Sequence, residues 1–167
     1  MRQLFEKYLP NFFAACWTIG LARCDIKEII RNKAFNPVIH WIETPNLYEY
    51  DADPFIYRIE NGFIDIFYEK FSVKEKYGKI SVMRVDNNFK LVDQKVILDT
   101  KTHLSYPLVF REKGKSYVFP EASRVDSIML VKWNRRAVRR HYIHRAAATT
   151  EGHPVARKTQ IKDKKTG

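Results

Sequence analysis

Three carboxylates flank apolar, aromatic runs in this 167-residue sequence. Asp53 stands directly before Pro54, Glu69 closes the run from Phe63 to Tyr68, and Glu121 follows Phe119-Pro120. A carboxylic acid and a carboxylate on neighbouring strand ends can act together on a glycosidic bond. One protonates the leaving oxygen while the other activates water or attacks the anomeric carbon. Apolar neighbours such as Phe119 and Pro120 would raise the pKa of Glu121 toward that of a general acid. The plainer alternative is a strand-end glutamate in solvent or on an arginine. Glu69 carries the same two readings, and Asp53 has its own plain one, a cap on the strand entry beside Pro54. His103, Ser105 and Tyr106 add hydrogen-bonding groups next to an aromatic, the furniture of a sugar pocket. A loop histidine bonded to backbone is the alternative for His103, and His40 reads as structural. His141 and His144 form an HxxH with no cysteine or acidic ligand nearby, so no metal and no cofactor is expected.

The two glutamates belong to a repeated unit. Asp53-Pro54 leads into a β-branched and aromatic run from Phe55 to Ile59, Asn61-Gly62 is a hairpin signal, and Phe63 to Tyr68 is the return strand. Tyr106-Pro107 to Glu121 repeats the pattern. Its proline lies 53 residues after Pro54, and Gly114 and Glu121 lie 52 residues after Gly62 and Glu69. Tyr106 occupies the position of Asp53, so the carboxylate there is not duplicated. A strand–turn–strand unit recurring at about 50 residues points to propeller blades. Lys79 to Val85 alternates at period 2 as a third strand, Lys95 to Leu98 reads as a weaker fourth, and Ile128 to Trp133 is the third strand of the second unit. Upstream, Cys16 to Leu21 and Val38 to Ile42 read as strands. Between them Asp25 and Glu28 frame a capping box for a short helix over Ile26 to Arg31.

The formal charge of +11 is unevenly spread. Residues 134–167 hold ten Lys/Arg against two acids, while the other residues hold twenty against seventeen. The body, 12–133, is thus a near-neutral domain, and the basic character belongs to a tail over 134–167 that the composition predicts to be disordered. The tail contains no nucleic-acid-binding motif, so any contact it makes with an anionic polymer would be sequence-independent and salt-sensitive. No apolar run is long enough to span a bilayer. Cys16 and Cys24 form no CxxC pair and read as free thiols in a reducing, cytoplasmic setting. Phe12-Phe13-Ala14-Ala15-Cys16 after Arg2 and Lys7 faintly resembles a lipoprotein signal, but its apolar run is short and follows Pro10-Asn11. No Gly-rich phosphate loop or GxSxG elbow is present.

Several motifs occur in a recognisable order: Trp17-Thr18-Ile19-Gly20, Asp51-Ala52-Asp53-Pro54-Phe55, Gly78-Lys79-Ile80, His103-Leu104-Ser105-Tyr106-Pro107 and Phe119-Pro120-Glu121. Together they resemble the N-terminal domain of glucosamine inositolphosphorylceramide transferase-like proteins. That resemblance implies a five-bladed β-propeller related to arabinanase, β-xylosidase and invertase-type glycosidases. It also implies that Asp53, as the Asp of the first-blade Asp-Pro motif, faces the propeller axis as general base. Five blades at about 50 residues need roughly 250 residues. The expectation is therefore an all-β, partial five-bladed propeller of two to three blades with one short helix. The tail beyond Trp133, which does not resemble the family, reads as a frameshift product, a truncation or an unrelated extension.

Three functions are open on the sequence. The first is a carbohydrate-active domain, glycosidase-like or associated with glycosyl transfer, with Asp53, Glu121 and Glu69 as catalytic candidates and His103, Ser105 and Tyr106 as substrate contacts. The second is a non-catalytic glycan-binding or scaffolding fragment. The third is a basic-tailed binder of anionic polymers. An unclosed propeller would leave an apolar blade face exposed, and self-association or a missing partner domain is expected from that.

Overall fold

The computed structural model describes residues 17–33, 36–43, 48–123, 127–134 and 137–144. The chain is all-β with one short helix. Its elements are β1 (Gly20–Ala22), α1 (Ile26–Asn32), β2 (Ile39–Trp41), β3 (Glu49–Glu60), β4 (Phe63–Ser72), β5 (Tyr77–Asp86), β6 (Leu91–Leu98), β7 (Leu104–Glu112), β8 (Lys115–Ala122), β9 (Ser127–Asn134) and β10 (Ala137–His144). They form three antiparallel sheets. β1 pairs with β2, and two four-stranded meanders follow, β3-β4-β5-β6 and β7-β8-β9-β10. Helix α1 starts where the sequence predicts, with the Lys27 N–H donating to Asp25 Oδ1 at 2.8 Å. It stops at Lys33, whose φ of 50° is left-handed. No helix among the described residues is long and apolar enough to cross a membrane.

Both predicted hairpins form. Asn61 and Gly62 have φ of 51° and 78°, and Lys113 and Gly114 have 49° and 72°. Two successive positive φ values are the signature of a type I′ turn, whose twist matches that of the flanking strands. The repeat is therefore structural, and each unit folds as one four-stranded antiparallel meander.

The strand grammar runs further than the sequence indicates. The reading above stops at Trp133, yet β10 lies within the basic segment and pairs with β9 from Ala137↔Asn134 to His144↔Ser127. Its sequence carries Arg139 and Arg140 inside a strand, a common composition for a sheet edge, where charge discourages further pairing. The sheet thus continues past the expected boundary at residue 133. The remainder of the tail lies outside the described residues. So do residues 1–16, with Cys16 and the signal-like run.

Packing around the first meander is two-sided. On one face Ile64, Ile66, Tyr68, Met83 and Val85 bury against Ile19, Leu21 and Ile42 of the β1–β2 region. On the other, Phe67, Ile80 and Val82 bury against Val109, Val118, Val131 and Trp133 of the second meander. Period-2 alternation sends neighbouring residues of β4 to opposite cores, which is why β4 reads as a nearly continuous apolar run. The seam between the meanders is held by an aromatic trio. Trp133 meets Tyr57 and Phe67 edge to face at centroid distances of 5.4 and 5.1 Å, and the Tyr57 hydroxyl bonds to Ser116 Oγ.

Candidate functional site

The site lies at the end of this seam opposite the hairpin turns, and β-bulges create it. The β3–β4 ladder is irregular between Ala52 and Phe55, and the β7–β8 ladder between Ser105 and Leu108. Both irregularities fall at a repeat-related X-Pro step. The residues before the prolines, Asp53 and Tyr106, take φ of 50° and 44°. A left-handed conformation is unfavourable for a residue with a side chain, and more so before proline, so each step stores on the order of 1–3 kcal/mol of strain. A bulge re-aims a side chain out of strict alternation. Here the two bulges meet, and the Tyr106 N–H donates to Asp53 Oδ2 over a long 3.4 Å.

Glu69 stands opposite Ala52 on β4 and is buried, with only 5% of its surface exposed. Burial pushes its pKa up to about 7. The neighbouring carboxyl of Asp53 pushes the same way. No lysine or arginine bridges either carboxyl among the described residues. Gly78 packs tightly against Glu69, since a Cβ there would meet Glu69 Oε1 and, at 2.5 Å, the Leu104 carbonyl. The Gly78 N–H donates to His103 Nδ1 at 2.9 Å. An Nδ1 that accepts carries no proton, so His103 presents its N–H at Nε2. Its Nδ1 lies 3.7 Å from Glu69 Oε1, beyond hydrogen-bonding range.

The structure thus brings together Asp53, Glu69, His103 and the backbone of Tyr106. The Tyr106 side chain is 63% exposed beside them. Ser105 is buried and pairs with Glu121 across the β7–β8 ladder. Glu121 does not join the cluster. It is exposed, and alternation places it with Phe119 on the face of the second meander turned away from the first. One residue to which the sequence reading gave no role shapes the site: Gly78, whose lack of a side chain makes room for Glu69. Asp51, two residues before Asp53, pairs with Lys70 on the other face of the sheet. Burial raises Asp51 to about 6 against the opposing pull of Lys70, whose Nζ lies 3.7 Å from its Oδ1.

Chemically, two carboxyls brought together in this way can donate to one sugar hydroxyl and accept from another. A hydrolytic pair would need its carboxyls about 5–5.5 Å apart for a covalent intermediate, or about 6.5–9.5 Å apart for an intervening water.

Comparison with known proteins converges on one family. Residues 35–140, more than half of the chain, match the family described as Glucosamine inositolphosphorylceramide transferase 1, N-terminal. The match begins before β2 and ends inside β10, so it covers both meanders. Proteins named Glucosamine inositolphosphorylceramide transferase 1 are similar over 82 residues, with 32% identity in Oryza sativa subsp. indica and 29% in Arabidopsis thaliana. The matched segment is 48% of this chain and 11% of each relative, so the chain corresponds to about a tenth of their length. No solved structure matches. On the match across both meanders, this chain belongs to the family of the glucosamine inositolphosphorylceramide transferase 1 N-terminal domain.

Proposed function

We propose that this chain is a carbohydrate-directed β-domain associated with glycosyl transfer in glycoconjugate metabolism, and that it recognises a sugar rather than hydrolysing one. The observation that carries the reading is the Asp53–Glu69 pair, two carboxyls brought together at the end of the seam with exposed Tyr106 beside them. Sugar hydroxyls need donors and acceptors in close order with an aromatic surface nearby, and this corner offers both. Asp53 is the ligand-facing acceptor, Glu69 the buried acid that orients it, and His103 Nε2 a further donor. The names of the relatives support a ligand built from glucosamine and an inositol phosphate. We further read the two meanders as consecutive blades of a partial β-propeller, and the exposed thiol of Cys24 fits a reducing compartment.

Saturation-transfer NMR with a glucosaminyl-inositol phosphate, and with mannose and xylose as controls, tests the reading. Binding should occur and should weaken about tenfold or more in Asp53→Asn, which loses a charged acceptor. Aryl furanosides and pyranosides should be cleaved at background rate by wild type and variant alike. Turnover that falls in Asp53→Asn would make the domain a hydrolase, and absence of any sugar binding would remove the carbohydrate reading.

A further inference from the structure

One imidazole nitrogen at the site faces two partners that it can serve only in different protonation states. His103 stands between β6 and β7, on the connection that joins the two meanders. Its backbone is tied to the second meander, where its carbonyl accepts from the Ser123 N–H at 3.2 Å. Its ring is tied to the first. Nδ1 accepts from the Gly78 N–H on β5 at 2.9 Å, and the same Nδ1 lies 3.7 Å from Glu69 Oε1 on β4. A neutral imidazole offers one lone pair, and here the Gly78 N–H takes it. A protonated imidazole carries a hydrogen on both nitrogens, so Nδ1 can then only donate. It must leave Gly78, and Glu69 Oε1 is the acceptor within reach. Closing 3.7 Å to a charge-assisted bond of about 2.8 Å takes a ring movement of about 1 Å.

The surroundings hold the ring between these two partners. Gly78 is buried, and Glu69 Oε1 lies so close to it that a methyl group on the Gly78 Cα would collide. Donor, acceptor and ring nitrogen therefore share one small space. The Phe71 ring stands edge to face with the imidazole at a centroid distance of 6.0 Å. The His103 side chain is 38% exposed, so solvent protons reach it. The charges that face it are carboxyls, Glu69 on β4 and, beside Glu69, Asp53 on β3. On β5, Tyr77 and Lys79 are turned to Glu75, and Lys79 also reaches Asp99. On the connection itself Lys101 pairs with Asp99 at 2.9 Å. Glu121 of β8 is exposed on the far face of the second meander. An imidazolium at this place meets acids, while the neighbouring lysines are already engaged.

We propose that His103 is a pH-sensitive tie between the meanders: neutral, its Nδ1 holds the Gly78 N–H of β5, and protonated, it releases Gly78 and donates to the Glu69 carboxyl of β4. The exchange rests on this geometry and not on the sugar reading, so it is tested without a ligand. NMR on the full chain follows the His103 ring nitrogens and the Gly78 amide from about pH 8.5 to about pH 5. The ring should take up a proton in this range. Over the same transition the Gly78 amide proton should move upfield and lose about tenfold of its protection against exchange, after correction for the intrinsic pH dependence. In His103→Phe the Gly78 amide should show no such transition. In Glu69→Gln, which keeps an oxygen acceptor but not the charge, the transition should need about tenfold more acid. A Gly78 amide that keeps its shift and protection while the ring titrates would overturn the proposal. So would a ring that takes up no proton in this range. The same transition in His103→Phe would assign the change to the carboxyls instead, and a transition unmoved in Glu69→Gln would remove Glu69 as the second partner.

Discussion

Strands β3 and β4 carry two buried carboxyl clusters, one at each end, and the two are built on opposite rules. Toward the hairpin turn, Arg58, Asp65 and Arg84 stand side by side across three strands. Arg84 grips Asp65 through Nε at 2.7 Å and a terminal nitrogen at 2.8 Å, and Arg58 adds a third bond at 2.8 Å. At the other end Glu69 meets no lysine or arginine among the described residues. Its partner is a second carboxyl, held on a strained bulge. The first cluster satisfies every charge it buries, and its guanidinium pKa values rise in consequence. The second leaves charge poorly matched and raises a carboxyl pKa instead. A buried charge that is fully paired contributes to holding the sheet. One kept against a like charge on strained backbone costs stability, and such costs concentrate at functional sites.

Breaking each cluster should therefore have opposite signs. The largest effect is expected for Asp65→Ala, which strands the partly buried Arg84 guanidinium and leaves Arg58 only its ion pair with Glu60; it should lower the unfolding free energy by about 3 kcal/mol, read from the urea midpoint. Next is Gly78→Ala. Its Cβ would displace Glu69 and press on the Leu104 carbonyl, which belongs to the backbone and gives little, so a loss of about 2 kcal/mol is expected by the same measurement.

Glu69→Gln should stabilise. The folded pKa of Glu69 lies above its unfolded value. Its favourable contribution is therefore complete below about pH 4.5 and is lost as the pH rises through about 7. Asp51 acts in the same direction between about pH 4 and 6. Thermal scans should show Glu69→Gln more stable than wild type at pH 8, by on the order of 2 kcal/mol, with the difference vanishing near pH 4. A wild type whose stability rises from pH 5 to 8 as steeply as the variant's would show that Glu69 is not raised. The smallest effect on stability is expected for Asp53→Asn, within about 0.5 kcal/mol because the side chain is only half-buried. That variant should nevertheless lower the pKa of Glu69, by removing the like charge beside it, as followed by carboxyl carbon chemical shifts.

Much of this fold is legible in the sequence. Gly62 and Gly114 mark the two hairpins, the 52–53-residue offset marks the repeat, and Asp25 marks the start of α1. The boundary after Trp133 is the instructive miss. Ala137 to His144 carries too many arginines and histidines to read as a strand, because an edge strand needs no second apolar face. The site was half legible. Asp53, Glu69 and His103 come together, but Glu121, the repeat counterpart of Glu69, does not. The repeat makes the two glutamates equivalent within their own sheets, and the sheets are stacked. Equivalence then puts Glu69 inside the seam and Glu121 on the far side of the next sheet.

The sequence by itself determined what depends on near neighbours. These are the turns that require positive φ, the alternation that assigns each strand residue to a face, and the cap that starts the helix. All are decided within a few residues by backbone sterics and local hydrogen bonds. Only the tertiary structure decided which carboxyls meet. That depends on two bulges, 53 residues apart, turning Asp53 and the Tyr106 N–H toward each other, and on Gly78 leaving space beneath Glu69. A one-residue irregularity moves a side chain from one face of a sheet to the other, and no local pattern records where the opposing sheet will lie.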